Sequence, residues 1–240
     1  MDVFTGNFKD LPKSVLKSEE RLLAYNDQGF PVGLVVREDA HANGIWHASV
    51  HLAAITDEIK LNGIKQRLIV LQQRALDKKI NPGLWDYTFA GHMQIYEHEF
   101  EVPAAVLGSP KHMADSIINE GGEELKLAMD IGNVSYAGTG TFIQCIQPEF
   151  NGGTVYMNKE YTHMFTYRIP WKQVEQIFDN VENKKTDGEV QAVQLMEINK
   201  YFKKAAEDER KMLESWKKGQ KYQNEFVPRY PNIDLIRGSL

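Results

Sequence analysis

The chain has little cysteine and no long apolar run. Cys145 is the only cysteine among 240 residues, so the chain cannot form an internal disulfide or a cysteine-based zinc cluster. A single thiol suits a reducing compartment. No apolar run approaches the ~20 residues that a membrane-spanning helix needs, and the first residues lack the basic and then apolar pattern of a secretion signal. We therefore expect a cytoplasmic protein that does not bind a membrane.

The chain also lacks an excess of positive charge. Its 28 Lys and Arg residues stand against 33 Asp and Glu residues, a net charge of −5, so there is no electrostatic footprint for a nucleic-acid partner. Apolar residues make up 42% and charged residues 25%, which is ordinary for a globular protein. The Glu- and Lys-rich helical pattern near the end of the chain is compatible with a homodimer.

Hydrophobic patterning predicts an α+β fold. Strand patterns cover residues 45–56, 64–74, 85–92, 140–148, 153–158, 161–168 and 189–195, and helical patterns cover residues 110–126, 170–181 and 196–213. A hairpin is predicted before them, around Asp27-Gln28-Gly29. Because strands and helices do not alternate in βαβ order, we expect an α+β or three-layer arrangement. Residues 220–240 contain two prolines and are expected to form an irregular tail.

Three carboxylates lie close together in residues 119–124 (NEGGEE). On a helix, Glu120, Glu123 and Glu124 share one face because they are three and four residues apart. Their mutual repulsion is only a few tenths of a kcal/mol per exposed pair, but a solvated helix would normally interleave lysines. A hard divalent cation such as Mg²⁺ would offset the repulsion. The alternative is a charged helix face exposed to solvent.

Four segments in this order resemble the Nudix superfamily, and within it the branch similar to isopentenyl diphosphate isomerase. They are residues 41–51 (HANGIWHASVH), residues 71–86 (LQQRALDKKINPGLWD), residues 90–92 (AGH) and the acidic stretch at 119–124. The resemblance covers about residues 22–200. It implies a Nudix-type α/β/α sandwich with a mixed sheet, an N-terminal hairpin extension and a C-terminal helix.

The resemblance also implies domain boundaries and an activity. Residues 1–44 would form the N-terminal extension, 45–203 the Nudix domain, and 204–240 the C-terminal helix and tail. The implied activity is hydrolysis of a diphosphate linkage, an acid anhydride, in a nucleoside or small organic diphosphate. The implied cofactor is Mg²⁺ or Mn²⁺.

In the Nudix sequence box, Glu120, Glu123 and Glu124 match the carboxylates that ligate the metal or position the attacking water, and Gly91 matches the opening glycine, whose carbonyl joins the metal shell. The box is degenerate in this chain. Asn119 stands where the family has an arginine that orients the glutamates. An insertion at residues 94–109 also separates Gly91 from the acidic stretch, so the fixed spacing of the family is lost.

Further residues are candidates for the base and for substrate binding. Glu189, in a loop before a strand, and Glu160 are candidate bases, and Glu160 is also a candidate metal ligand. Arg74 and Lys78 resemble the cations that contact the diphosphate in the isomerase branch, since arginine offers bidentate recognition and lysine a point charge. The alternatives are surface acids near turns for Glu160 and Glu189, and a surface pair at a strand end for Arg74 and Lys78.

The isomerase activity itself is not expected. Ala90 stands where that branch has its catalytic cysteine, and alanine cannot transfer a proton. Asn158 replaces the first carboxylate of a later acidic pair, of which Glu160 is the second. The remaining members of the isomerase metal site are matched by His41, His47, His92 and Glu160. Zinc would favour such imidazoles, but hydrogen-bonded structural histidines are equally compatible with the sequence.

Three functions are therefore carried forward. The leading hypothesis is a metal-dependent Nudix hydrolase acting on a small-molecule diphosphate. The alternative is a non-catalytic Nudix-fold module for ligand binding or protein interaction, and isopentenyl diphosphate isomerase comes last. The loss of the box arginine and the insertion favour the non-catalytic module, whereas the three box glutamates favour the hydrolase.

Overall fold

The structure is a computed structural model that describes residues 20–78, 81–146, 156–186, 188–218, 223–227 and 230–240. The strands in these ranges are β1 (Arg21–Tyr25), β2 (Pro31–Val36), β3 (Trp46–Thr56), β4 (Ile59–Leu61), β5 (Ile64–Gln66), β6 (Leu68–Arg74), β7 (Trp85–Asp86), β8 (Phe89–His92), β9 (Val134–Ile146), β10 (Tyr156–Ile169) and β11 (Val190–Glu197). The helices are α1 (Arg37–Asn43), α2 (Ala104–Leu107), α3 (Pro110–Leu125), α4 (Trp171–Glu182), α5 (Ile198–Lys217) and α6 (Tyr230–Ser239). The α+β class, the N-terminal hairpin and the C-terminal helix are confirmed.

The described residues divide into two compact units. Unit 1 comprises the residues up to Val50, Gly91–Ser116 and Thr139–His163, and unit 2 comprises His51–Ala90, Ile117–Gly138 and Met164–Leu240. None of the helices in the part of the chain that the structure covers is both long enough and apolar enough to cross a membrane. The predicted domain boundaries after residues 44 and 203 stay predictions.

Unit 1 contains the hairpin and the short helix that follows it. β1 and β2 pair antiparallel with Ala24 opposite Gly33, and Ala24 also pairs with His47 of β3. Helix α1 ends at Gly44, which has a φ of 62° and donates its N–H to the Ala40 carbonyl. Glycine suits this left-handed position, so it can end the helix without backbone strain. The turn fixes where α1 stops, immediately before β3 begins.

Unit 2 is built on two antiparallel strand pairs. β6 pairs with β3, with Ala54 opposite Val70, and with β11, with Val190 opposite Arg74. Its core is apolar and almost fully buried. The core side chains come from strands β3, β6 and β11, from both C-terminal helices and from the segment between β7 and β8. They include Ala53, Ile55, Ile69, Leu71, Tyr87, Met196, Ile198, Tyr201, Phe202, Ile233 and Ile236. The β6–β11 register brings the end of β6 beside the start of β11.

The structure corrects three predicted elements. The strand predicted over 64–74 is interrupted at Arg67, because residues 59–66 form a separate hairpin, β4–β5. The two strands predicted over 153–158 and 161–168 form one strand in the described range, β10. The predicted irregular tail contains helix α6. In α6, Ile233 and Ile236 are 2% and 0% exposed. Burial of this face therefore stabilises a helix that the local sequence does not predict.

Helix α3 matches its prediction closely. Met113, Ile117 and Leu125 recur at helical spacing and are at most 1% exposed. Gly121 and Gly122 lie inside the helix, and an added Cβ at Gly122 would lie 3.3 Å from the Leu127 carbonyl oxygen. The apolar residues at helical spacing in α3 are therefore buried along one stripe of the helix.

Candidate functional site

Four of the predicted site residues come together in unit 2, at the end of β6 and the start of β11. We call Arg74, Lys78, Glu124 and Glu189 the acidic–basic cluster. The Lys78 ammonium forms an ion pair with the Glu189 carboxylate. The backbone completes the junction, since Ala75 donates its N–H to the Glu189 carbonyl at 3.0 Å.

The two carboxylates of this cluster are neighbours. Burial raises the pKa of the Glu189 carboxyl, but its hydrogen bond and charge interaction with Lys78, together with Glu124 and Arg74, outweigh that effect, so the pKa is lowered. Glu124 acts on Glu189 through a side-chain hydrogen bond. Two neighbouring carboxylates repel each other unless a proton or a cation lies between them. Paired carboxylate oxygens are the ligands that Mg²⁺ and Mn²⁺ prefer, so this cluster fits such an ion.

Arg74 has a second acidic neighbour that the sequence analysis did not single out. Its Nη1 lies 3.9 Å from Oδ2 of Asp86, whose side chain is 1% exposed. Asp86 pairs with Gln72 across the β6–β7 ladder, two residues before Arg74. The Asp86 carboxylate on β7 therefore forms an ion pair with Arg74. Only the pairing of β6 with β7 reveals that these two residues are neighbours.

The other predicted residues fall into two groups. Glu120 and Glu123 lie on α3 with Glu124, and their side chains are outside the described part of the structure. Asn119, at the position of the family arginine, is exposed. Gly91 and Glu160 belong to unit 1, where Gly91 directly precedes His92 on β8. The structure therefore brings Arg74, Lys78, Glu124 and Glu189 together in unit 2. Glu160 belongs to unit 1 and is not a member of this cluster.

Three imidazoles form a second group, in unit 1. His41 on α1, His47 on β3 and His92 on β8 each offer one nitrogen, and these three nitrogens lie within 4.8 Å of one another. The ring centroids are 5.0, 5.1 and 5.0 Å apart. We call these residues the imidazole cluster. Such a triangle of nitrogens has the geometry of a metal site.

The protonation of the imidazole cluster leaves lone pairs available. Burial is the largest influence on all three rings and lowers each pKa, that of His41 to about 3. The rings are therefore neutral at pH 7. His47 Nδ1 lies 2.8 Å from the Ile45 carbonyl oxygen, which can only accept, so Nδ1 carries the hydrogen and Nε2 the lone pair. Metal-binding histidines typically donate their other ring N–H to a carbonyl or carboxylate oxygen in this way.

Strand β10 supplies polar atoms to the same place. Asn158 and Glu160 are two residues apart and therefore share a face, and they are 4% and 3% exposed. Asn158 Nδ2 donates to Glu160 Oε1 at 2.5 Å, and His92 Nε2 lies 3.6 Å from the same oxygen. The Tyr156 hydroxyl lies 3.2 Å from His41 Nε2. The alternative of Glu160 as a surface acid near a turn is therefore wrong.

Structural hydrogen bonds do not account for the whole imidazole cluster. Nε2 of His47 and Nε2 of His92 are buried, and neither has a hydrogen-bond partner among the residues that the structure describes. Imidazole donors favour Zn²⁺ and related transition ions over Mg²⁺. Residue spacing alone could not find this group, since 45 residues separate His47 from His92. The sequence signal was the resemblance, and it did not include Tyr156.

A cavity of about 740 Å³ lies in unit 2. Its lining is mainly apolar and comes from α4, from β11 and from the loop that joins them: Phe178, Val181, Glu182, Lys184, Thr186, Gly188, Val190, Gln191, Ala192 and Val193. Gly188 and Val190 flank Glu189 in the chain. Glu189 itself is not among the residues that line the cavity.

These features define an α+β protein with one cluster of carboxylates and cations and one cluster of imidazoles. No protein-family model matches the chain, and no curated protein matches it. Solved structures resemble it distantly. The DR0079 protein of Deinococcus radiodurans is 13% identical over 78% of this chain and 90% of its own, with a TM-score of 0.44.

Two further solved structures give similar values. A MutT/nudix family protein from Listeria innocua is 14% identical over 66% of this chain and 81% of its own, with a TM-score of 0.35. The Ap4A hydrolase of C. elegans is 14% identical over 71% of this chain and 95% of its own, with a TM-score of 0.34. At such distances no residue role or activity follows from the likeness.

Proposed function

We propose that this protein is a Nudix-type hydrolase that uses a divalent metal ion to cleave a diphosphate linkage in a nucleoside or small organic diphosphate. The observation that carries the proposal is the acidic–basic cluster, in which Glu124 and Glu189 meet beside Arg74 and Lys78. Hydrolysis of a diphosphate requires neutralised phosphate charge, a positioned water and a base. This cluster offers residues for each requirement.

The cations would bind the diphosphate. Arg74 presents a planar fork that matches two phosphate oxygens, and Lys78 presents a point charge. In the structure Lys78 is paired with Glu189. A phosphate bound to Lys78 would compete with that ion pair, so substrate binding would release Glu189 to accept a proton from water. Glu189 is therefore our preferred base.

The carboxylates of α3 would hold the metal. Glu124, with Glu120 and Glu123 on the same helix face, provides the hard oxygen donors that Mg²⁺ or Mn²⁺ prefers. The bound ion would supply charge neutralisation and lower the pKa of water. The protein residues would position the attacking water, with Glu189, just before β11, next to the Glu124 carboxylate.

The cavity lined by Gly188 and Val190, the chain neighbours of Glu189, suits the organic part of the substrate. Its volume of about 740 Å³ lies in the usual range for small-molecule pockets. Its apolar lining favours a carbon-rich or aromatic group over a second charged one.

The test is release of phosphate or pyrophosphate across a panel of nucleoside and small organic diphosphates with Mg²⁺. We expect turnover of at least one substrate, and Glu124→Gln to lower kcat/KM roughly 100-fold, since it removes a metal-ligand charge. Glu175→Gln, an exposed glutamate on α4, is the matched control and should leave kcat/KM unchanged. Turnover that survives Glu124→Gln, or no turnover of any member, would contradict the proposal.

One observation favours a non-catalytic binding module as the second candidate. Lys78 is paired with Glu189, and Arg74 lies near Asp86, so the cations are already neutralised inside the protein. A module of this kind would bind diphosphates without consuming them. Calorimetric binding in the absence of product, unaffected by Glu124→Gln, would support this candidate over the hydrolase.

The imidazole cluster is the feature that favours isopentenyl diphosphate isomerase. Ala90 stands where that branch has its catalytic cysteine and cannot transfer a proton, which argues against isomerase activity. The direct test is incubation with isopentenyl diphosphate and analysis for the allylic product. We expect none.

A further inference from the structure

Strand β11 is an edge strand of unit 2. Among the strands that the structure describes, it pairs with β6 alone. Residues 190–196 (VQAVQLM) contain no charged residue and no proline. Edge strands of natural proteins commonly carry lysine or proline, because an open edge can pair with another chain. This edge of the sheet therefore lacks two common protections against the addition of a further strand.

The backbone groups of β6 show which groups of β11 point to the open side. The Arg74 N–H and carbonyl both bond to residues 83–84, and the Val70 carbonyl accepts the Thr88 hydroxyl. These bonds lie on the side of β6 that pairs with β7 and β3, away from β11. Because backbone groups alternate in direction along a strand, those of Gln72 also point away from β11.

Val193 and Leu195 present their backbone groups at the open edge. Val193 lies opposite Gln72 in the ladder, and Leu195 lies opposite Val70. Opposite residues in an antiparallel pair either exchange both hydrogen bonds or point away from each other. The N–H and carbonyl groups of Val193 and Leu195 therefore point away from β6. Together they offer an added strand up to four backbone hydrogen bonds.

The cavity in unit 2 follows the same edge. Val190, Gln191, Ala192 and Val193 all line this cavity of about 740 Å³. Successive side chains of a strand point to opposite faces, so a cavity that touches four consecutive residues follows the edge of the strand and not one face. The backbone of β11 therefore forms one wall of the cavity.

Helix α4 forms the opposite wall. Phe178, Val181 and Glu182 line the cavity, and their spacing of three and four residues puts them on one face of the helix. A second copy of this chain that paired through its own β11 would bring its α4 into the same space. The space between helix and strand edge instead suits a single extended segment. The rim carries one cation, Lys184, and one acid, Glu182, so it favours neither sign of charge.

We propose that the groove between β11 and α4 binds an extended peptide segment of a partner protein. The segment adds to β11 as a strand, pairs with Val193 and Leu195, and places an apolar side chain against Phe178 and Val181. Backbone hydrogen bonds then supply affinity, and the cavity supplies specificity. The inference does not rest on the proposed hydrolase activity. If the cavity also receives the organic group of a diphosphate, peptide and substrate compete for it.

The test uses the full chain and a library of random linear heptapeptides, since seven residues in a strand span roughly 23 Å. The most enriched peptide is synthesised, and its binding is measured by calorimetry. We expect apolar residues at alternate positions of the enriched sequences. The Kd should change less than about twofold between roughly 0.05 and 0.5 M salt, because backbone and apolar contacts are little screened.

Two variants address the two walls of the groove. Val193→Pro removes an outward N–H and no hydrogen bond to β6, and Phe178→Ala removes apolar surface from α4. Each should weaken peptide binding about 10-fold or more. Trp171→Ala is the matched control, because Trp171 is an aromatic residue of α4 that is 46% exposed and does not line the cavity. It should leave the Kd within about twofold.

N-methylation of the selected peptide, one residue at a time, tests strand addition on the wild-type chain. Methyl groups should weaken binding at alternate residues and be tolerated at the residues between them, because only every second N–H faces β11. An equal effect at every residue would overturn the proposal.

Three further results would overturn it. They are wild-type affinity in Val193→Pro and Phe178→Ala, a library in which no peptide binds with a Kd below about 1 mM, or a dimer of the chain that Val193→Pro dissociates, which would assign the edge to a second copy. If Val193→Pro does not fold, Phe178→Ala and the methylated peptides decide. All these readouts measure binding, so a failure of the hydrolase assay leaves them unaffected.

Discussion

The two clusters of this protein satisfy their buried polar groups in different ways. In the acidic–basic cluster of unit 2, Lys78 pairs with Glu189, so opposite charges within the protein neutralise each other. In the imidazole cluster of unit 1, neutral rings converge, and the Nε2 atoms of His47 and His92 have no partner in the described residues. The ion pair of the first group forms without a ligand, so a bound phosphate would have to displace it. The second group has two buried ring nitrogens without a hydrogen-bond partner among the described residues, which a cation would satisfy.

The difference also predicts which ions act where. Carboxylate oxygens beside cationic side chains favour the joint binding of a hard metal ion and a phosphate group. Buried imidazoles suit a softer ion that stays bound.

Removal of an imidazole should abolish metal-dependent stability. In wild-type protein, Zn²⁺ at about 100 times its Kd should add about 2.7 kcal/mol to the free energy of unfolding. We expect His47→Ala to lose nearly all of this gain, because the variant lacks Nε2, a buried nitrogen with a lone pair and with no hydrogen-bond partner among the described residues. Thermal unfolding with and without Zn²⁺ measures it. His163→Gln, at a buried histidine bonded to Tyr25, is the control and should keep the Zn²⁺ gain. Equal gains in wild type and His47→Ala would remove the contrast.

Loss of the cluster lysine should weaken catalysis and shift its pH profile. Lys78→Met removes a charge-assisted phosphate contact, which should lower kcat/KM by about 10- to 100-fold. It also removes the interaction that lowers the Glu189 pKa, while burial, which raises that pKa, remains. The acidic limb of the kcat/KM profile should therefore move to higher pH. Lys172→Met, at an exposed lysine on α4, should change neither, and an unshifted acidic limb would argue against Glu189 as the base.

Unit 1 should lose stability in acid through a buried histidine outside the imidazole cluster. Burial lowers the His163 pKa from 6.5 to about 4, so the unfolded chain binds the proton first as the pH falls. Stability is complete above pH 6.5 and decreases from there towards pH 4. The loss attributable to His163 should reach roughly 2 kcal/mol at pH 5. Urea unfolding of metal-free protein at pH 8 and pH 5 measures it, and His163→Phe should show a smaller difference between the two. An equal pH dependence in wild type and variant would refute the assignment.

The smallest effect should come from the end of helix α1. Gly44 has a left-handed φ of 62°, and an added Cβ would lie 2.6 Å from Met157 Sδ, an atom of a flexible side chain. Gly44→Ala should therefore lower the free energy of unfolding by about 1–2 kcal/mol. Gly238→Ala, where an added Cβ meets nothing within 4 Å, is the control and should change little. An unfolding midpoint unchanged in Gly44→Ala would show that the helix end tolerates the strain.

Much of the local structure could be predicted because its causes are local. The hairpin follows from Asn26 and Gly29, since the Asn26 side chain accepts the N–H groups of Gln28 and Phe30. The end of α1 follows from Gly44, and the buried face of α3 from apolar residues at helical spacing. Helix α6 was missed because its stability depends on burial of Ile233 and Ile236 in the unit 2 core.

The sequence by itself determined which chemical groups are available: helix carboxylates, cations at the end of a strand, and histidines matched by resemblance. Only the tertiary structure decided how they are grouped. The β6–β11 register brings Glu189 to Arg74, and β10, continuous through Glu160, buries that carboxylate beside His92. Partnership between side chains depends on contacts between residues distant in sequence, and no spacing rule specifies those contacts.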